Sequence, residues 1–176
     1  MATKSRYSSK KRSWRIASSG WISARGTVSS AVSRDLTQQQ DPAIVDHAPA
    51  DGGGPLSLFE SGAILLYLAE KTGKLLSGEL RERHVTLQWL FWQVGGLGPM
   101  LGQNHHFNHF APQAVPYAIE RYQVETQRLY GVLNRRLGES PWLGGNHYSI
   151  ADIACWPWGE CPPAPAYRPC QFPGGA

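Results

Sequence analysis

An acid and a hydroxyl stand side by side at Glu60–Ser61, immediately ahead of the apolar run in "SGAILLYLAEKTG". At the N-terminus of a helix, backbone N–H groups lack intrahelical partners and the helix dipole points its positive end outward. Those free N–H groups and the dipole favour an anion. The competing reading is structural: Ser61 is simply an N-cap and Glu60 a loop acid. His105, His106 and His109 form a second cluster. Their spacing supplies neighbours but no second ligand pair, and no cysteine is near, so loop histidines lining a pocket or a subunit cleft are expected rather than a metal site. Arg121, in "IERYQ", is a third candidate; its alternative is a solvated helix face. The aromatic run Trp89, Phe91 and Trp92 reads as core and subunit interface rather than as a stacking platform for nucleic acid.

Those residues need elements to hold them. "PAIVD" (42–46) reads as a short buried strand, "HAPADGGGP" as a turn-rich loop, and "LSLF" (56–59) as a second strand, so that the two form a hairpin. A helix is predicted from Ser61 to Thr72, with Ile64, Leu65, Leu68 and Ala69 on one face. Gly73 ends it, and Lys71 and Lys74 suit its negative pole. A second helix is predicted from Glu79 to Val94, broken by "GGLGPMLGQ". A third spans Ala114 to Leu137, with Ile119, Tyr122, Leu129, Val132 and Leu133 at helical spacing. Ser149 and Asp152 look like a capping box with Asp in place of Glu, opening a last helix. After Trp158 the Pro- and Gly-rich text "GECPPAPAYRPCQFPGGA" cannot continue it.

Composition bounds the function class. The 176 residues suffice for one domain or two small ones. No apolar run reaches the roughly 20 residues that span a bilayer, and no secretory signal is recognised. Three cysteines, Cys155, Cys161 and Cys170, are odd in number and cluster late, which suits a reducing, cytoplasmic compartment. The net charge of +4 is uneven. Residues 1–40 hold eight Lys or Arg against one acid, Asp35, a net of +7, while residues 41–176 hold nine against twelve, a net of −3. The basic first segment is Ser-rich and lacks apolar periodicity.

The segments "ESGAILLYLAEKTG", "LQWLFWQVGGLGPMLGQNHHFNHFAP", "PYAIERYQVETQRLYGVLNRRL" and "SPWLGGNHYSIADIACWPW" together resemble the bacterial nu-class glutathione transferases, relatives of disulfide-bond reductases and of the yeast prion-type members. The resemblance covers about residues 42–158. It implies a mainly α fold: an all-helical C-terminal domain over 77–158 with a strand-strand-helix remnant of a thioredoxin-like domain over 42–76. It implies glutathione as cosubstrate, no metal, a small electrophile or disulfide as second substrate, a homodimer, and no nucleic-acid or membrane partner. By the same resemblance, Ser61 holds the carboxylate of the γ-glutamyl group and Glu60 its ammonium. Pro42 matches the family's cis-proline. The residue before it, which offers backbone groups to the cysteinyl part, is Asp41 where the family has Ile or Val. Arg121 matches an arginine that reaches glutathione in the partner subunit.

The family's thiol-activating segment, a "TPN"-like stretch, is not spelled by residues 1–41, so the catalytic residues are unknown. The genetic code permits family-like text if residues 1–29 are read one base back and residues 37–41 one base forward. Met1–Ala2 then forces Gly, and Trp21–Ile22 forces Asp. Residues 167–176, read one base forward, behave likewise. The expectation is a chain frameshifted at both ends, with 1–41 irregular and 159–176 an out-of-frame tail, and with weak or absent activity. The alternatives are an organelle transit peptide over residues 1–34, which hold ten serines and no acid, a non-catalytic remnant that dimerises through its helices, and a binder of nucleic acid or acidic surfaces through the basic segment.

Overall fold

The computed structural model describes residues 28–30 and 43–159. Asp41, Pro42, Cys161, Cys170, the tail beyond residue 159 and nearly all of the basic segment, with the out-of-frame readings placed on them, lie outside the described residues. The chain divides between Lys71 and Thr72 into two compact units.

The first unit is built on an antiparallel sheet of order β1-β2-β3, comprising β1 (Val28–Ser30), β2 (Ala43–Asp46) and β3 (Leu56–Phe59). The predicted hairpin is the β2–β3 pair, in which Ala43 stands opposite Phe59 and Asp46 opposite Leu56. A third strand joins it, with Val28 opposite Asp46. It comes from the segment expected to be irregular. The physical reason is that β3 covers one edge of β2 only, and the other edge still offers a row of N–H and C=O groups to any extended neighbour. The hairpin loop is closed by Gly52, at φ 73°, whose N–H donates to the Pro49 carbonyl at 3.1 Å.

One residue, Glu60, separates β3 from helix α1 (Ser61–Thr72). Ile64 and Ala69 on the predicted apolar face are buried, and Leu65 and Leu68 are half-buried. Gly73 follows in the left-handed conformation at φ 65°, where glycine carries no Cβ penalty.

The second unit is helical: α2 (Leu80–Trp92), a π-helical turn (Gln93–Leu97), α3 (Gly98–His109), α4 (Pro116–Glu139) and α5 (Ile150–Gly159). Its core gathers Leu90, Leu97, Leu101, Leu129, Ile150 and Cys155. The break predicted at "GGLGPMLGQ" does not occur. The helix widens by one residue instead, so that the Gly98 N–H donates to the Gln93 carbonyl, and then resumes. The wider turn accommodates Pro99, whose ring would meet the carbonyl four residues earlier in a regular α-helix. Gly98 is needed there for space: a Cβ would lie 2.9 Å from Gln93 Nε2 and 3.4 Å from the Trp158 ring. Helix α4 begins at Pro116, two residues later than predicted, because proline's fixed φ and missing N–H suit the first helical turn. Tyr130 on α4 donates to the Trp158 carbonyl at 2.7 Å and ties down the end of α5.

Candidate functional site

Glu60 and Ser61 lie where the sequence places them, at the N-terminus of α1. The Glu60 carbonyl accepts the first helical hydrogen bond, from Ile64 N–H at 2.9 Å. The amides of Ser61, Gly62 and Ala63 therefore precede the helical ladder. Both side chains, Glu60 and Ser61, are exposed, and neither has a hydrogen-bond partner among the described residues. Glu60 is also strained: its φ is 70°, a left-handed conformation that costs a non-glycine residue about 1 kcal/mol. Free amides, a hydroxyl and a carboxylate within one turn can hold a group that carries both charges, its carboxylate on the amides and hydroxyl and its ammonium on Glu60.

A polar cluster that sequence reasoning missed lies in the same unit. Asp46, at the end of β2, is fully buried. Its carboxylate accepts the Tyr67 hydroxyl at 2.6 Å, the Lys71 ammonium, and the Ala48 N–H at 3.0 Å. Lys71 also donates to the Ala48 carbonyl at 2.6 Å. Burial alone would raise the Asp46 pKa. The hydrogen bonds from Lys71, Tyr67 and Ala48 and the Lys71 charge overcome it and hold the carboxyl at about 2. The Tyr67 hydroxyl, bonded to that carboxylate and desolvated, is pushed up to about 12. The only sign in the sequence was an acid ending an otherwise apolar strand.

Arg121 belongs to the second unit, on the exposed side of α4. With Met100, Tyr117, Tyr122 and Glu125 it lines a concave surface of about 620 Å³. Tyr122 stacks on Phe107, with centroids 5.5 Å apart and planes at 12°. Glu125 accepts two bonds from Arg128, at 2.8 and 2.7 Å, which hold its carboxyl below the usual range against the opposing effect of burial.

The histidines are not on a loop. His105, His106 and His109 occupy the last turns of α3, with the rings of His105 and His109 4.7 Å apart. Among the described residues no group of three or more His, Cys, Asp or Glu is placed to hold a metal ion. Trp89 and Trp92 are half-buried and meet edge to face at 5.1 Å, with the Arg136 guanidinium 5.6 Å over Trp89, whereas Phe91 is exposed. No helix among the described residues is long and apolar enough to cross a membrane.

Residues 116–160 match the family model for the glutathione S-transferase C-terminal domain. The chain is 86% identical to the disulfide-bond oxidoreductase YfcG of Escherichia coli over 117 residues, which are 66% of this chain and 54% of that protein. It is 46% identical to the disulfide-bond oxidoreductase YghU of the same organism over 118 residues, 66% of this chain and 40% of that one. Among solved structures, a glutathione transferase family member from Pseudomonas fluorescens, with two glutathione bound, superposes with a TM-score of 0.65 at 49% identity, covering 68% of this chain and 53% of that one. The chain thus spans about half the length of the curated relatives it matches. Across two-thirds of its own length it is glutathione S-transferase-like in sequence and in fold.

Proposed function

We propose that this chain binds glutathione at Glu60–Ser61 and is of the glutathione S-transferase type, with a small electrophile or a disulfide as second substrate. The observation that carries the reading is the exposed pair of an acid and a hydroxyl at the N-terminus of α1, without a hydrogen-bond partner among the described residues. Ser61 and the first amides of α1 take the γ-glutamyl carboxylate, and Glu60 takes its ammonium. Bound glutathione supplies a thiol whose thiolate is the nucleophile. Asp41 and Pro42, just ahead of β2 in the sequence, are proposed to contribute to the site through backbone groups, and Arg121 is proposed to reach the glutathione of a partner subunit. The protein is proposed to work in the cytoplasm, as a homodimer.

Retention of the full 176-residue chain on immobilised glutathione, with elution by free glutathione, tests the reading. Ser61→Ala should abolish retention without unfolding the chain, and failure of the unaltered chain to be retained overturns it. Residues 1–41 do not spell the family's thiol-activating segment, so turnover by this chain should be weak or absent. Conversion of a standard aryl halide at ordinary enzyme rates contradicts that.

A second reading is favoured by the apolar side chains left exposed on the helical unit: Leu80, Phe91, Tyr117 and Val124 are 61–75% exposed. In it the helices dimerise without catalysis. Sedimentation showing a dimer together with no glutathione retention selects it.

A further inference from the structure

The buried Asp46–Lys71 pair lies at the opposite end of α1 from the proposed glutathione-binding turn, and the two ends are mechanically connected. We propose that Asp46, acting through Lys71 and Tyr67, is the positioning group that holds Glu60 and Ser61 in their binding geometry. This rests on the glutathione reading for its functional consequence, though not for the clamp itself.

Two paths, each closed by hydrogen bonds, run from Asp46 to Glu60. Across the β2–β3 ladder Asp46 faces Leu56, the first residue of β3, and Ala43 faces Phe59, the last. Glu60 follows at once. Through the side chains, Asp46 grips Tyr67 and Lys71, which lie four residues apart on one face of α1. The helix then runs back to Ser61. Strand, one-residue turn, helix and clamp form a closed frame with no slack.

Glu60 needs such a frame. A glutamate at φ 70° returns to negative φ unless its surroundings prevent it. The Ile64 N–H···O=C bond holds the turn locally. Relaxation at Glu60 would swing the axis of α1, and the clamp resists that swing at the far end, where the leverage is greatest. A buried ion pair is poor evidence for added stability, because apolar residues of the same shape often do as well. What the pair adds is direction. Asp46 accepts from two positions on α1 and from its own loop at Ala48, while Lys71 also donates to the Ala48 carbonyl. Together these bonds favour the present placement of the helix.

The test uses the full-length chain and its variants Asp46→Asn, Lys71→Met, Tyr67→Phe and the apolar double change Asp46→Leu with Lys71→Met. Hydrogen exchange is followed residue by residue along α1, with the thermal midpoint and glutathione affinity recorded in parallel. In Asp46→Asn and Lys71→Met, exchange at Ile64 should quicken by about tenfold while α1 stays helical, and glutathione should bind about tenfold more weakly. Tyr67→Phe should shift both in the same direction by less. The double variant should recover its thermal midpoint but keep fast exchange at Ile64. A double variant that recovers both, or single variants whose faster exchange stays confined to residues 67–72, overturns the proposal and leaves the pair as packing alone. If Asp46→Asn fails to fold, Tyr67→Phe decides the matter by the same readout. If the unaltered chain binds no glutathione, the proposed function fails, and the exchange pattern still decides the clamp.

Discussion

Asp152 closes a hydrogen-bonded ring on Ser149: one carboxylate oxygen accepts the Ser149 N–H at 3.0 Å and its hydroxyl at 2.9 Å. The other oxygen accepts the Leu143 N–H at 2.9 Å. All of these groups are buried. Asp152→Ala leaves three donors unsatisfied, and should cost about 3 kcal/mol of unfolding free energy. Urea unfolding measures it; a loss below about 1 kcal/mol, the worth of one ordinary hydrogen bond, would show that the ring is solvated.

Glu60 separates stability from binding. Glycine has no Cβ to strain at φ 70°. Glu60→Gly should therefore raise unfolding free energy by up to about 1 kcal/mol, while glutathione affinity falls because the carboxylate for the ammonium is gone. Calorimetry of unfolding and of binding should move in opposite directions.

Cys155 is buried in α5, and burial first, then the Asp152 carboxylate, push its thiol well above the ordinary range. Thiolate is the reactive form. Iodoacetamide at pH 8 should leave the Cys155 peptide unmodified in the folded chain and label it in urea. Labelling of native protein at the rate of a free thiol would contradict this.

The Asp46 clamp should be visible in acid. Its folded pKa of about 2 lies below the ordinary carboxyl value of 3.8, so its contribution to stability is complete above about pH 4 and is lost as pH falls through 2. Asp46→Asn should flatten that limb of the stability–pH curve. Tyr67 has the opposite sign: raised from 10.0 to about 12, it contributes below pH 10 and ceases to as pH rises through 12. A phenol absorbance titration should find Tyr67 and the half-buried Tyr148 both ionising late, and of these two only Tyr67 should ionise earlier in Asp46→Asn.

Helix α1 was legible to the residue, because a polar start, an apolar face and a terminal glycine all agree over Ser61–Thr72. The capping role of Ser149 and Asp152 was legible for the same reason. The passage through "GGLGP" was not. Gly and Pro oppose a regular helix, and the sequence does not show that a one-residue widening will make room for Pro99. The third strand was invisible, since Val28–Ser30 is too short for an alternating pattern. In the candidate site, Glu60 and Ser61 could be read from type and place. The left-handed backbone of Glu60 could not, because glutamate does not announce it. Lys71 could be read as a partner of the helix dipole, but its pairing with Asp46 depends on a contact spanning 25 positions.

The π-helical turn at Gln93–Leu97 acts on everything after it as a change of phase. Each residue of an α-helix turns the chain by about 100°, so one surplus residue rotates all of α3 by that angle relative to α2. The sector on which Phe107 meets Tyr122 is therefore set ten residues earlier. A substitution within the turn would disturb only its own neighbourhood. The loss of a single residue there would restore regular helix, turn the histidines and Phe107 away from their present sector, and so be felt most at a place it never touches.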